Sequence, residues 1–286
     1  MKLNEEKGKE PFIPERVARS IIRVPMKTRT IPPATRTNCY LIHDGGGWLV
    51  VDFGSPDGSA FSMLDEAVEE YCKGWKNIHG LLLTHHHDDH TGGLANWLSR
   101  FKEPILAHPK TIAHLGRRLP ASRAFPLADL DRLGNLEVFY TPGHASGHIV
   151  VSSGEGDLLC GDLIAGLGTI VIDPPDGSMG DYLASLARIE GRNFDRGLPG
   201  HGPAAPGLSL RIRSYRQHRM ARDEKVLAAL ATFEAPASLI EVTERAYDDV
   251  APALHPVASR SALAHLLWAV ERGLAARDDD GRYRAI

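Results

Sequence analysis

The chain has 286 residues, 43% hydrophobic and 24% charged, with a formal net charge of −3 at neutral pH. Such a length and composition fit one catalytic-sized domain with an appendage and exclude fibrous or low-complexity chains. The small charge gives no global attraction to nucleic acid or acidic membranes.

The chain opens on "MKLNEEKGKEPF", charged and without an apolar leader core, and no run of about 18 apolar residues follows anywhere. Neither export nor membrane insertion is expected. Cys39, Cys72 and Cys160 form no close pair, so a disulfide framework and a cysteine zinc site are both unexpected, and a reducing, cytoplasmic compartment is the expectation.

Short runs rich in β-formers come first: "SIIRVPM", "TNCYLIHD", "WLVVDFG" and "IHGLLLT", parted by turn signals such as "DGGG" and "GSPDG". Between and after them, apolar residues at helical spacing predict helices over Phe61–Tyr71, Leu94–Phe101 and Thr111–Leu119. After Asn135 the pattern repeats, with "LEVFYT", "HIVVSS", "DLLCGDL" and "TIVI" as strands and "MGDYLASLARIEGR" as a helix. Two β-then-helix halves predict an α/β (α+β) layered αββα domain over residues 1–205. A Gly/Pro-rich stretch, "GHGPAAPG", then leads into residues 206–286, where three long helical segments and an Asp-Gly turn between short polar strands predict a small helical, winged-helix-like domain.

The chemistry concentrates in "GLLLTHHHDDHTGG". Imidazoles and carboxylates are the ligands of a hydrolytic zinc ion. On a loop leaving a buried strand, residues two apart point the same way, so His85 and His87 can chelate one ion while Asp89 and His90, past the bend, face a second. Crowded histidines and carboxylates at a strand end would otherwise repel or remain poorly solvated. Completing ligands are available at later strand ends: His144 in "TPGHASGH", Asp162 in "CGDL" and His201 in "LPGHGP". Seven ligands with one bridging carboxylate close two sites. His79, His86, Asp88, His108 and His114 are read as ordinary surface or hydrogen-bonded residues. No nucleophile elbow, P-loop or dinucleotide fingerprint competes, since the glycines of "DGGGWL" have neither the spacing nor the following helix.

"THHHDDHTGG" resembles the T-H-x-H-x-D-H-x-G-G signature of the metallo-β-lactamase superfamily, and "TNCYLI", "VVDFG", "TPGHASGHI", "LLCGD" and "LPGHG" are similar to its other blocks in the same order. The resemblance implies a four-layer αβ/βα sandwich with a binuclear metal site at one edge. It implies that His85, His87 and His144 hold the first ion, Asp89, His90 and His201 the second, with Asp162 bridging and Asp52 supporting the ligands from behind. The implied cofactor is two Zn2+ ions, with iron or manganese as substitutes, and the implied reaction is hydrolysis by a metal-bridging hydroxide with Asp89 as proton acceptor and later donor.

Within the superfamily, the secreted β-lactam hydrolases commonly carry a cysteine where Asp162 stands, and the flavodiiron branch carries Glu where His87 stands. Iron-dependent persulfide dioxygenases keep the histidine pattern, and "TPGHASGHI" is similar to the glyoxalase II group, which cleaves hydroxyacylglutathione. The C-terminal domain most resembles the β-lactamase-like protein 2 group, which includes endoribonucleases for single-stranded RNA and related fungal thioesterases acting on carrier-bound polyketides. The expected substrate is therefore a small-molecule or carrier-bound ester or thioester, or a phosphodiester such as single-stranded RNA. His218 and Arg219 match the group's "HR" pair and are candidate substrate contacts. Residues 204–286 hold 12 Lys/Arg against 11 Asp/Glu, no strong footprint for phosphates. The run Arg211, Arg213, Arg216, Arg219, Arg222 and Lys225 reads as a solvated helix face, and helix faces of this kind also leave a homodimer open.

Overall fold

A computed structural model describes residues 13–286; the charged opening stretch, residues 1–12, lies outside them. The first half builds a seven-stranded sheet from β1 (Glu15–Ala18), β2 (Ile21–Lys27), β3 (Arg36–His43), β4 (Trp48–Val51), β5 (Ile78–Leu82), β6 (Ile105–Ala107) and β7 (Ala124–Pro126), in that spatial order. β1 to β4 are antiparallel neighbours, and β4 to β7 run parallel. The parallel connections carry α1 (Gly58–Ala67), α2 (Asp88–Thr91), α3 (Leu94–Arg100) and α4 (Pro109–Leu115). The β3–β4 turn closes because the Asp44 Oδ1 accepts from the amides of Gly46 and Gly47 at 2.9 and 2.8 Å.

The second half builds a six-stranded sheet in the order β13-β12-β11-β10-β9-β8, from β8 (Arg132–Leu133), β9 (Leu136–Tyr140), β10 (Ile149–Ser152), β11 (Asp157–Gly161), β12 (Arg196–Pro199) and β13 (Ala205–Pro206). Only its β11–β12 pair is parallel, and α5 (Met179–Glu190) makes that crossover, its first turn capped by the Ser178 hydroxyl accepting from the Asp181 amide.

Period-two alternation sorts the core into layers. Leu49, Val51, Leu82, Ile149, Val151, Leu159 and Leu198 face the space between the sheets, while Val50, Leu81 and Leu83 turn outward toward α1 and α3, and Val150, Leu158 and Cys160 turn toward α5. The result is a helix–sheet–sheet–helix sandwich. Among the described residues, no helix is long and apolar enough to cross a membrane.

The long helix α6 (Leu208–Leu230) leaves the sandwich and enters the C-terminal unit, made with α7 (Leu239–Ala246), α8 (His255–Glu271) and the wing of β14 (Ala275–Arg277) and β15 (Tyr283–Ala285). Leu208, Ile212 and Tyr215 pack in the sandwich's outer core, whereas Val226, Ala229 and Leu230 pack with Val242, Leu266 and Tyr283 in a separate one. α7 starts at a reciprocal cap between Ser238 and Glu241.

Three local expectations shift. The helix expected over Phe61–Tyr71 begins earlier and ends in a π-turn over Val68–Cys72, and the "GHGPAAPG" stretch contains β13. The "TIVI" strand does not form: residues 169–172 lie in a loop, and the polar atoms of its backbone bond to side chains rather than to a neighbouring strand.

Candidate metal centre

The site lies where chain leaves the carboxyl ends of β4 and β5 in one sheet and β11 and β12 in the other. Cross-sheet bonds fix the two ends together. The Asn38 amide donates to the Gly200 carbonyl at 2.7 Å, its side-chain amide donates to the carbonyls of Pro199 and Gly202, and the Ile149 amide donates to the Thr84 carbonyl.

The structure brings all seven expected ligands together. His85, His87 and His144 converge with their ligand atoms within 4.8 Å, as do His85, His90 and Asp162, and Asp89, His90 and His201. His85 Nε2 lies 3.1 Å from His87 Nδ1, and His90 Nε2 lies 3.3 Å from His201 Nε2. Asp162 stands between the groups: Oδ1 is 3.4 Å from His90 Nε2, and Oδ2 is 3.5 Å from His144 Nε2 and 3.4 Å from His201 Nε2.

Outer partners decide which ring nitrogen is bare. A carbonyl only accepts, so His144 Nδ1–H donates to the Val171 carbonyl and His201 Nδ1–H to the Arg36 carbonyl, each at 2.8 Å. Asp52 accepts from the Thr84 amide and hydroxyl, both at 2.8 Å, and from His90 Nδ1 at 2.7 Å. Having donated its one proton to Asp52, the Thr84 hydroxyl accepts from His85 Nδ1 at 3.0 Å. Four imidazoles thus present unprotonated Nε2 atoms inward when neutral, the arrangement metal-ligating histidines require. His144 Nε2 and Asp162 Oδ1 are buried with no hydrogen-bond partner. Buried polar atoms ordinarily have partners, so a donor set left open this way fits divalent cations.

Electrostatics divides the site. Burial, reinforced by His90, His87 and His144, pushes the His85 imidazole well below its ordinary range; burial and His87 bring His144 down to about 4. Around the second group burial is outweighed: Asp162, Asp52 and Asp89 hold His90 well above its ordinary value, and Asp162 and Asp89 raise His201 to about 10. Burial would raise the Asp89 carboxyl, yet His90 and His201 bring it down to about 2. Without ions, protons on His90 and His201 neutralise the carboxylates.

Sequence reasoning missed His148, the second histidine of "GHASGH". Fully buried, it accepts from the Asp162 amide at 2.9 Å and bonds Thr141 at 2.9 Å, and burial together with His144 pushes it down to about 3. Its place at the start of a strand in an apolar run was the available signal. His86 and His114, read as ordinary residues, stack at 4.1 Å beside Asp176, whose carboxylate also accepts from the Ser146 amide; this group ties the "GHASGH" turn to the loop after Asp162. Asp88 is exposed and pairs with Arg118.

His218 and Arg219 lie on α6, apart from the seven-residue cluster. His218 is exposed, whereas Arg219 is 3% exposed and donates to the Ile170 carbonyl. The basic run is largely paired within the protein: Arg213 and Arg216 with Glu190, Arg222 with Asp249, and Lys225 with Asp248 and Asp249.

Comparison with known proteins gives a consistent family. Residues 32–201 match the family described as Metallo-beta-lactamase superfamily, and residues 238–284 match the Beta-lactamase associated winged helix domain. The chain is 30% identical to the Beta-lactamase-like protein 2 homolog of Caenorhabditis elegans over 74% of this chain and 71% of that protein. It is 29% identical to the Lactamase-like protein vrtG of Penicillium aethiopicum over 68% of this chain, and 28% identical to the Atrochrysone carboxyl ACP thioesterase of Passalora fulva over 69%. The chain spans 61% and 57% of the length of those two fungal proteins. A Beta-lactamase domain protein from Burkholderia ambifaria superposes with a TM-score of 0.80 at 25% identity, covering 96% of this chain and 93% of that one. A metallo-beta-lactamase family protein from Thermus thermophilus shares the fold, with a TM-score of 0.77 at 22% identity over 95% of this chain and all of that one.

Proposed function

The chain belongs to the metallo-beta-lactamase superfamily, and from that premise we propose that it is a binuclear zinc hydrolase cleaving a thioester, presented on a small molecule or on an acyl carrier. The observation that carries the metal assignment is the set of open Nε2 and carboxylate atoms converging on Asp162. The thioester rests on relatives named thioesterases in fungi. A reducing, cytoplasmic setting fits the three buried, unpaired cysteines.

His85, His87 and His144 would hold one ion, Asp89, His90 and His201 the other, and Asp162 both. When bound, two divalent cations lower the pKa of water toward neutrality and neutralise negative charge that develops on a polarised carbonyl. The remaining work belongs to the chain. Asp89, 3.3 Å from His201 Nε2 and beside the Asp162 carboxylate, takes the proton released as water attacks and returns it to the departing thiolate. Asp52, Thr84, Val171 and Arg36 fix the rings of His85, His90, His144 and His201 in one tautomer each, so no reorganisation accompanies the reaction.

The test is turnover by purified, zinc-loaded protein on lactoylglutathione, acyl-CoA, acyl-carrier thioesters, bis-p-nitrophenyl phosphate and single-stranded RNA, with His85→Ala as control and metal content measured by elemental emission. Acyl-CoA or acyl-carrier hydrolysis that disappears in the variant is expected. Cleavage of RNA or phosphodiester alone would replace the thioester assignment, and one iron per chain with oxygen uptake on a persulfide would replace hydrolysis.

A further inference from the structure

The segment between Asp162 and α5 forms no strand, yet both proposed metal groups depend on it. On its inner side the Gly166 amide donates to the His201 carbonyl at 2.7 Å, and the Val171 carbonyl accepts from His144 Nδ1 at 2.8 Å. An irregular segment has no ladder to fix a carbonyl in place, so something else must position Val171.

Its outer side is held by α6 and α8. The Tyr215 hydroxyl accepts from the Ala165 amide at 2.9 Å and lies 3.0 Å from the Gly168 carbonyl, and Arg211 donates to the Ala165 carbonyl at 3.0 Å. Immediately flanking Val171, Arg219 donates to the Ile170 carbonyl and the Ser261 hydroxyl accepts from the Ile172 amide at 3.4 Å. Arg260 reaches Asp173 at 3.3 Å. Ile170 and Ile172 are buried in the same apolar cluster as Tyr215 and Ala264.

Arg219 is an expensive way to hold one carbonyl. Its guanidinium is buried, its Nε has no partner, and its compensation is the Ile170 carbonyl and the ring of Tyr182, 5.5 Å away. An apolar residue of similar volume would often be as stable at such a position. What an apolar residue cannot do is hold the Ile170 carbonyl.

We infer that the C-terminal helices brace the metal centre, with Arg219 and Ser261 as positioning residues that set the Val171 carbonyl against His144. This rests on the ligand assignment proposed above. The winged-helix unit thereby acts inward on the site: its α8 and the adjoining α6 hold the outer partner of His144, which lies in an irregular loop. Losing the outer hydrogen bond of a ligand histidine typically weakens metal binding 10- to 100-fold.

The test is competition of the full-length, metal-free protein with a chromophoric chelator for Zn2+, paired with the absorption spectrum of the Co2+-substituted protein. Arg219→Met is expected to weaken one of two ions roughly 10- to 100-fold, leaving the other unchanged and altering the cobalt bands. Arg219→Lys should recover part of the loss, Ser261→Ala should lose less, and Arg213→Ala, on the exposed face, should match wild type. His144→Ala should lose that same ion. Wild-type affinity for both ions in folded Arg219→Met overturns the brace; should that variant fail to fold, wild-type affinity and cobalt spectrum in Ser261→Ala overturn it. If His144→Ala keeps both ions, the ligand assignment falls and the brace with it.

Discussion

Asp52 accepts three hydrogen bonds from residues that position the ligands, so Asp52→Asn is an informative small change. Three donors meet two oxygens that are almost fully buried: the Thr84 amide on Oδ1, and the Thr84 hydroxyl and His90 Nδ1 on Oδ2. Asparagine offers one acceptor and one NH2 group. With its oxygen at the Oδ2 position, the NH2 faces the Thr84 amide; turned over, it faces two donors. At least one buried donor is left unpaired in either orientation, at about 1–3 kcal/mol, and two in the worse one. The backbone is no obstacle, because Asp52 sits at a φ of 57°, where asparagine is also tolerated. The loss reaches His90 directly and His85 through the Thr84 hydroxyl, so both ions should bind more weakly, His90's the more so, by about 10- to 100-fold. Chelator competition reads the affinities, and denaturant unfolding of the metal-free protein reads the stability. A folded Asp52→Asn protein that binds both ions as wild type does would refute the hydrogen-bond logic of the whole site.

Gly200→Ala should abolish metal binding while preserving secondary structure, because a Cβ there would lie 2.6 Å from Asp162 Oδ1 and 2.7 Å from His90 Cε1; elemental analysis with circular dichroism checks it. Zinc loading at neutral pH should release about two protons, because His90 and His201 are held protonated until ions displace them. Calorimetry in buffers of different ionisation enthalpy reads the number, and a heat independent of buffer would contradict it. In the metal-free protein those raised values contribute stability that is fully present below the ordinary histidine pKa of about 6.5. That stability is lost as pH rises toward about 10, so denaturation midpoints of the metal-free form should fall with alkali through that window. Trp97→Ala, which empties a fully buried ring position beside Phe101 and Trp75, should cost about 3–5 kcal/mol of stability with turnover per folded molecule unchanged.

Much of the candidate site was legible because its residues sit where strands end, and strand ends are marked by glycine, proline and the close of an apolar run. His85, His87, Asp89 and His90 follow β5, Asp162 follows β11 and His201 follows β12, each with that signature in the adjoining sequence. His148 escaped because, buried immediately before the apolar run of β10, it looks like core; its function as an acceptor for the Asp162 amide needs the third dimension. "TIVI" was misread for the converse reason. Its β-branched residues are buried as a strand's would be, but Arg219 and Ser261 satisfy backbone groups a neighbouring strand would have taken, and those partners lie 49 and 89 residues away. The double membership of α6 was likewise hidden, since helical periodicity names an apolar face without saying how many cores it enters.

The same dispersion of ligands has a consequence during synthesis. His90 and His201 are 111 residues apart in the chain. At translation rates of about 5–20 residues per second, the cluster from His85 to His90 leaves the ribosome roughly 6–20 s before its last partner. Throughout that interval the proposed second ligand group, Asp89, His90 and His201, lacks its last member. An ion captured there by Asp89 and His90 alone would be held by half a set and exchange freely, so stable loading of that second position becomes a late event that follows completion of β12.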